Sequence, residues 1–374
     1  MKKILSLAIS MVMVASLAAC GTKKSDNVVS TKEAAKEVAT TTAGNATKVA
    51  EKGYKDPSTV KGKVMVYTTM DEGQMKVVEA IFNKHYPDCQ IEWLSDSIGT
   101  LMTKIQSEAS SPQADAVVGG LFQSDDSRYY SLLEKYKPSN GDEQAIQDPN
   151  NYYAYQDVQY MCLIVNTDLE KKLGVKIESY KDLLDPKVKG KVYLADPAST
   201  SSGFRQYTTI LQLMSKDHFG DKQAWDYLTK LMANSVSTTS SSQVYKAVMD
   251  GEYVAGLSYE SIVLDQLKNG AKNIRIVYPK EGNTACANGS AVVKGAPNRA
   301  AAEAIVDLML TAEVQNARAE QNCCRGTRKD FAFDGFESAE KVGIKELDFD
   351  LLREQKDKLL DQWATKWEEF GGKK

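Results

Sequence analysis

The sequence predicts an α/β fold, with helices layered on a mostly parallel sheet. From Lys63 onward, short apolar runs alternate with segments whose apolar residues recur at helical spacing, and Gly, Pro, Asn and Asp punctuate the joins. Without its first 20 residues the 374-residue chain still suits two domains better than one.

The elements follow in order. Val64 to Tyr67 reads as a buried strand, and Asp71 to Tyr86 as a helix through Met75, Val78, Ile81, Phe82 and Tyr86. Gln90 to Leu94 is a strand, Leu101, Ile105 and Ala109 mark a helix, and Asp115 to Val118 is a strand ending in Gly119-Gly120. A break rich in Asn, Asp, Gly and Pro runs from Pro138 to Asn151, followed by a long strand, Val158 to Asn166. A second α/β segment begins near Glu178. Its strand Val192 to Ala195 turns at Asp196-Pro197 into a helix with Phe204, Tyr207, Leu211 and Met214 on one face. Helices at Trp225 to Met232 and Val244 to Met249 come next, then a strand at Tyr253 to Leu257; beyond the segment Ile274 to Pro279 comes the apolar run Ser290 to Val293. A helix through Ala301, Ile305, Leu308 and Met309 follows. The amphipathic C-terminal stretch, with Leu352, Leu359, Leu360, Trp363, Trp367 and Phe370, has acidic faces that favour core packing over membrane binding.

The N-terminus speaks to location. Lys2 and Lys3 precede an apolar run, Ile4 to Leu17, that is too short for a permanent span, and Leu17-Ala18-Ala19-Cys20 closes it. This closing sequence resembles a bacterial lipobox, which implies cleavage before Cys20 and a diacylglyceryl chain on its thiol. Residues 21–61 lack the apolar content for a core and read as a flexible tether with a reach of roughly 35 Å. No later apolar run is long enough to span a membrane. With 47 basic and 50 acidic residues there is no basic excess for nucleic acid. Apart from Cys20, the cysteines are Cys89, Cys162, Cys286, Cys323 and Cys324, an odd number at irregular spacing that defines no disulfide framework.

Two hydroxyl clusters stand where helices begin: Ser199-Thr200-Ser201-Ser202-Gly203, and Thr238 to Ser242 before Val244. Free N–H groups, a helix dipole and several hydroxyls converge at such a terminus, which suits an anion or a polyhydroxy ligand. Helix capping explains any one of these residues and a five-residue run poorly. Gly256-Leu257-Ser258-Tyr259-Glu260 approaches a nucleophile elbow but has Glu260 where that turn needs Gly. A secreted hydrolase would have to pair Ser258 or Ser202 with His218, and neither His85 nor His218 has a partner at metal-ligand spacing. With no phosphate-loop or dinucleotide fingerprint either, an enzyme is disfavoured, and no cofactor or metal is expected. Glu260 is a candidate acceptor for a ligand amine or hydroxyl.

The order of these motifs resembles the extracellular solute-binding lipoproteins of ABC importers, in the branch of ferric-ion, phosphorylated-sugar and aminoalkylphosphonate binders. The resemblance rests on Val64-Met-Val-Tyr-Thr-Thr69, Asp115-Ala-Val-Val-Gly-Gly120, Asp196-Pro-Ala-Ser-Thr-Ser-Ser-Gly203, Ser242 to Glu260, Val277-Tyr-Pro-Lys-Glu-Gly282 and Ala291-Val-Val-Lys-Gly-Ala-Pro-Asn298. It implies a two-lobed type II periplasmic-binding-protein fold, each lobe a mixed sheet flanked by helices, joined by two hinge crossings. Lobe one would comprise 62–160 and 275–374, and lobe two 161–274. The cleft between them would be lined by Thr68, Thr69, Gly119, Gly120, Ser199, Thr200, Ser201, Ser202, Ser240, Ser241, Tyr259 and Glu260. The implied role is capture of a small polar solute by a monomer held by lipid on the extracytoplasmic face, for delivery to a permease. Ferric binders of this type carry adjacent tyrosines where this chain reads Ser258-Tyr259-Glu260. Serine-rich helix starts favour a phosphorylated sugar or phosphonate over ferric ion.

Overall fold

A computed structural model describes residues 53–125 and 127–370. The expected secretion segment, Cys20 and the expected tether up to residue 52 lie outside the described residues. The expected tether boundary at residue 61 is corrected, because residues 53–61 are docked on the folded body. Tyr54 donates to Glu313 (2.8 Å), Lys55 pairs with Glu303 (2.7 Å), and Val60 is fully buried. Gly53, at φ +101°, sits where a Cβ would lie 2.5 Å from the Asn140 amide nitrogen. The body therefore starts nine residues earlier than composition suggests, because a few specific contacts dock a stretch that has no apolar periodicity.

The first half builds β1 (Gly62–Thr68), α1 (Glu72–His85), β2 (Cys89–Ser95), α2 (Ile98–Ser107) and β3 (Ala116–Phe122), with β1 parallel to both β2 and β3. Asp71 and Ser97 cap α1 and α2, each accepting the N–H three residues on, which fixes where these helices begin. Gly119 and Gly120, expected to end a strand, lie inside β3 at φ +80° and +85° and carry a register shift.

β4 (Ala154–Asn166) is the strand on which the fold turns. Its residues 154–160 pair with β9 (Asn283–Val292), whereas Met161 to Val165 pair with β7 (Ala255–Tyr259) and Leu163 to Asn166 with β8 (Ile274–Val277). One strand thus belongs to two sheets and changes partners between Tyr160 and Met161. The intervening chain supplies α3 (Thr167–Leu173), β5 (Val192–Ala195), α4 (Ser201–Met214), α5 (Lys222–Asn234), β6 (Ser235–Thr238), α6 (Ser241–Met249) and α7 (Glu260–Lys268). β5 lies parallel to β6 and β7, so α4, α6 and α7 all start at one edge of the second sheet.

The chain returns through 278–282 into β9, which runs antiparallel between β3 and β4, and continues into α8 (Arg299–Met309), α9 (Ala312–Asn322), β10 (Arg325–Gly326), α10 (Ala339–Val342) and β11 (Ile344–Lys345). α11 (Phe349–Glu369) then corrects the expectation that 275–374 lies wholly in the first lobe. Leu352, Leu359, Trp363 and Trp367 are buried in the core of the second sheet with Tyr207, Leu211 and Leu228, and the Tyr207 hydroxyl donates to the Leu359 carbonyl (3.0 Å). Burying four such side chains stabilises by about 1.5–3 kcal/mol each, which decides for core packing over a membrane surface.

Candidate functional site

The hydroxyl-rich cluster at α4 divides on inspection. Thr200 is the N-cap, accepting the Gly203 N–H (3.0 Å) and donating to the Asp196 carbonyl (3.1 Å), while the Asp196 carboxylate takes the Ala198 N–H (2.7 Å). Capping accounts for Thr200. Gly203 is obligatory there, since a Cβ would stand 2.5 Å from the Ala195 carbonyl oxygen. Ser199 is exposed, Ser201 half-buried, and Ser202 buried with its hydroxyl 2.5 Å from that of Ser241. The two clusters, 39 residues apart in sequence, therefore meet. They do so because parallel neighbours β5 and β6 deliver the starts of α4 and α6 side by side, at the strand ends where open α/β sheets form their crevices. Ser240 is the N-cap of α6 without a side-chain capping bond and lies 3.0 Å from the Ser242 hydroxyl.

On the first sheet, Thr68 is fully buried, donating to the Val118 carbonyl (2.7 Å) and accepting the Met70 N–H (3.0 Å). Its hydroxyl is committed to joining β1 to β3. Thr69 is exposed and packs over the paired glycines: a Cβ on Gly120 would lie 2.6 Å from the Thr69 methyl group. The Gly120 N–H donates to Asn288 (2.7 Å), Asn288 donates to Asp157 (3.2 Å), and Asp157 pairs with Arg318 (2.9 Å). This buried chain fixes the glycine loop.

Arg205, which sequence reasoning missed, joins the two sheets. It follows Ser202 by three positions and Ser201 by four, and so shares their face of α4. Its side chain is 4% exposed, its guanidinium lies 3.7 Å from the Phe122 ring centre on β3, and one nitrogen donates to Gln159 of β4 (2.6 Å). The other terminal nitrogen and Nε are buried with no partner among the described residues. Burial lowers the pKa of Arg205, opposed by the fields of Cys286, Tyr259, Asp125 and Asp157. A buried guanidinium with unmet donors is costly unless an acceptor arrives. A signal was available in the sequence: a charged residue one turn beyond the serines, directly after Phe204 on the helix that carries them.

Tyr259 is the N-cap residue of α7, and burial pushes its phenol up to about 12. Glu260 departs from the expected role of ligand acceptor. It is 1% exposed, Arg325 of β10 grips both its oxygens (2.8 and 3.0 Å), and Tyr278 donates to it (2.5 Å). Arg325 stacks against Tyr160 and Phe336 (4.1 and 4.6 Å), so this is an ion pair tying α7 to the first sheet. The Ser258 carbonyl accepts from Gln206, His85 contacts Glu313 (2.6 Å), and His218 is exposed between α4 and α5; neither Ser258 nor Ser202 has an imidazole partner among the described residues. Tyr130 stacks on Tyr152 (4.1 Å) and meets the edge of Tyr153, both as core aromatics, and among the described residues no His, Cys, Asp and Glu cluster is arranged to hold a metal ion.

Residues 77–341 match the family model described as bacterial extracellular solute-binding protein. The chain belongs to this family. A Haemophilus influenzae protein described as uncharacterized is 30% identical over 265 residues, covering 68% of this chain and 75% of the relative. A Salmonella typhimurium protein with the provisional name 2-aminoethylphosphonate-binding periplasmic protein is 27% identical, covering 64% and 70%. Among solved structures, the periplasmic binding protein AfuA from Actinobacillus pleuropneumoniae, with fructose-6-phosphate bound, superposes with a TM-score of 0.73 at 25% identity, covering 82% of this chain and 99% of that one. Iron-bound HitA from Pseudomonas aeruginosa shares the fold, with a TM-score of 0.66 at 21% identity over 83% and 99%. The α/β body is thus a type II periplasmic-binding-protein fold, and the chain is a solute-binding component of an ABC transporter acting outside the cytoplasm. Among the described residues no helix is long and apolar enough to cross a membrane.

Proposed function

We propose that this receptor captures a small polar solute carrying a phosphate or phosphonate group and hands it to its permease unaltered. The observation that carries the reading is Arg205, whose two unmet, buried donors lie on the helix face that also bears Ser201 and Ser202. The free Nε–H and Nη1–H donors can each supply a charge-assisted hydrogen bond to an anionic oxygen, and the start of α4 adds a favourable dipole and hydroxyl donors. Ser202, Ser241 and Arg205 form the centre of the site. Thr69, the Gly119-Gly120 loop, Ser199, Ser201, Ser240 and Tyr259 complete its walls, while Thr68 and Thr200 hold those walls in position. Because Arg205 reaches from α4 to Phe122 on the other sheet, an anion seated on it would draw the lobes together about β4. The 2-aminoethylphosphonate name of one relative and the fructose-6-phosphate bound to another agree with an anionic head group.

Thermal-shift screening against phosphate esters, phosphonates and their uncharged parents tests this. At a hundred times its dissociation constant a ligand adds about 2.7 kcal/mol, whereas no shift with any anion would remove the reading. Mass spectrometry should recover the ligand unchanged after prolonged incubation; a hydrolysed product would support an enzyme instead. We also assign Cys20 as a lipid anchor that keeps the receptor beside its transporter. Cys20→Ser should release the protein into the medium with ligand affinity intact, and retention at the membrane would contradict the anchor.

A further inference from the structure

The two sheets also meet through α11, outside the residues assigned to the solute. Leu352, Leu359 and Trp363 bury that helix in the core of the second sheet. Arg353 and Lys356, three positions apart and so on one face, reach from it to residues 123–125, the turn that follows Phe122 at the end of β3. Arg353 donates to the Gln123 carbonyl (2.9 Å), and Lys356 pairs with Asp125 (3.4 Å). The Lys356 ammonium is supported from its own side, 5.2 Å from the ring centre of Phe204 on α4.

The turn they grip leads straight to the solute site. The Asp125 carboxylate accepts the Phe122 N–H (2.7 Å), and its own N–H donates to the Phe122 carbonyl (2.8 Å). The Gln123 N–H donates to the Ala287 carbonyl (3.0 Å), which ties the turn to β9. Phe122 is the ring on which Arg205 lies. Asp125 is 8% exposed, so its charge has to be met within the protein. Burial raises its pKa, and Lys356, the Phe122 N–H and Arg205 act against that rise. Both cations stand on helices of the second sheet, α11 and α4, and the carboxylate on the first. Parting the sheets would hydrate Asp125, whereas holding them together without Lys356 would leave a buried carboxylate short of its nearest cation.

We propose that the pair of Lys356 with Asp125 is a latch between the lobes, and that Lys356 is a positioning residue for solute capture. By holding the 122–125 turn it keeps Phe122 over Arg205 and raises the fraction of molecules whose cleft is closed. The apparent dissociation constant is the intrinsic one divided by that fraction, so a residue that never touches the solute sets the affinity. This applies to any solute that closes the cleft and does not depend on the charge assigned to it.

Hydrogen–deuterium exchange of the ligand-free full chain, read by mass spectrometry, tests the latch. In Lys356→Met the amides of 119–125 and 201–205 should exchange at least about threefold faster, with those of α8 and the melting temperature unchanged. Lys356→Arg should stay near the parent. Asp125→Asn should act like Lys356→Met, and the double variant should exceed neither, because the two changes remove one shared interaction. If the parent binds fructose 6-phosphate, Lys356→Met should weaken that binding about tenfold. A parent that binds no phosphorylated probe counts against the anionic solute and leaves the exchange result to decide the latch. Unchanged exchange in Lys356→Met, additive effects in the double variant, unchanged affinity where the parent binds, or a lowered melt with faster exchange throughout would each overturn the latch.

Discussion

Replacing Arg205 by Met separates folding from function. The change keeps a long, flexible side chain against Phe122 while deleting the charge. If the two free guanidinium donors each hold an anionic oxygen, their loss removes about 3–6 kcal/mol of binding, roughly a 100- to 20,000-fold weaker affinity. Stability moves differently. The variant forfeits the Gln159 hydrogen bond and the stack on Phe122, together about 3–5 kcal/mol, but relieves two buried unmet donors at about 1–3 kcal/mol each. These terms cancel to within about 3 kcal/mol, so the ligand-free variant should unfold near the parent midpoint. Calorimetry with a phosphorylated solute gives the first quantity and urea unfolding the second. An affinity within threefold of the parent would refute the assignment. So would a stability loss beyond about 4 kcal/mol, because that would show the guanidinium already satisfied by the protein.

Ser201→Ala/Ser202→Ala should weaken anion binding about tenfold with less than about 1 kcal/mol lost in a denaturant melt, since the Thr200 cap remains. Glu260→Gln strips a carboxylate from a side chain 2% exposed and leaves Arg325 unpaired, so urea unfolding should report a loss of about 3–5 kcal/mol. Burial alone would raise the Glu313 carboxyl, but hydrogen bonds from Lys84, His85 and Tyr54 draw it from its ordinary value near 4.5 down to about 2. With the folded value below the unfolded one, its stabilisation is present above about pH 4.5 and disappears as pH falls towards about 2. Glu313→Gln should therefore flatten the acid limb of a stability profile in that window.

The α/β class and most strands were legible because their burial is written as periodicity. Val64 to Tyr67 and Val192 to Leu194 are apolar runs that became β1 and β5, and the helix face of Phe204, Tyr207 and Leu211 became the buried side of α4. β6 was not legible, since Ser235-Val236-Ser237-Thr238 has one apolar residue and draws its stability from pairing with β5. α9 was missed for a similar reason: Val314 is its one large apolar residue, and its buried Arg318 and Gln315 are held by hydrogen bonds rather than by amphipathicity. At the site, spacing pointed to the hydroxyl clusters but gave no sign that Thr68 and Thr200 spend their hydroxyls on the backbone. Nor could it foresee that Arg325, 65 residues away, would occupy Glu260. Arg205 shows how far pattern reading reaches. Its spacing was readable, but its two empty donors come into view only once Phe122 and Gln159 close around it.

The most direct test of an anion-selective receptor is a matched titration of the full chain. 2-Aminoethylphosphonate and fructose 6-phosphate are compared with ethanolamine and fructose by calorimetry. At least one of the anions should bind with one-to-one stoichiometry and a dissociation constant well below about 1 mM, while its uncharged-head counterpart binds at least about 100-fold more weakly. Equal affinity for a solute and its dephosphorylated counterpart, or no binding by either anion, would contradict the account.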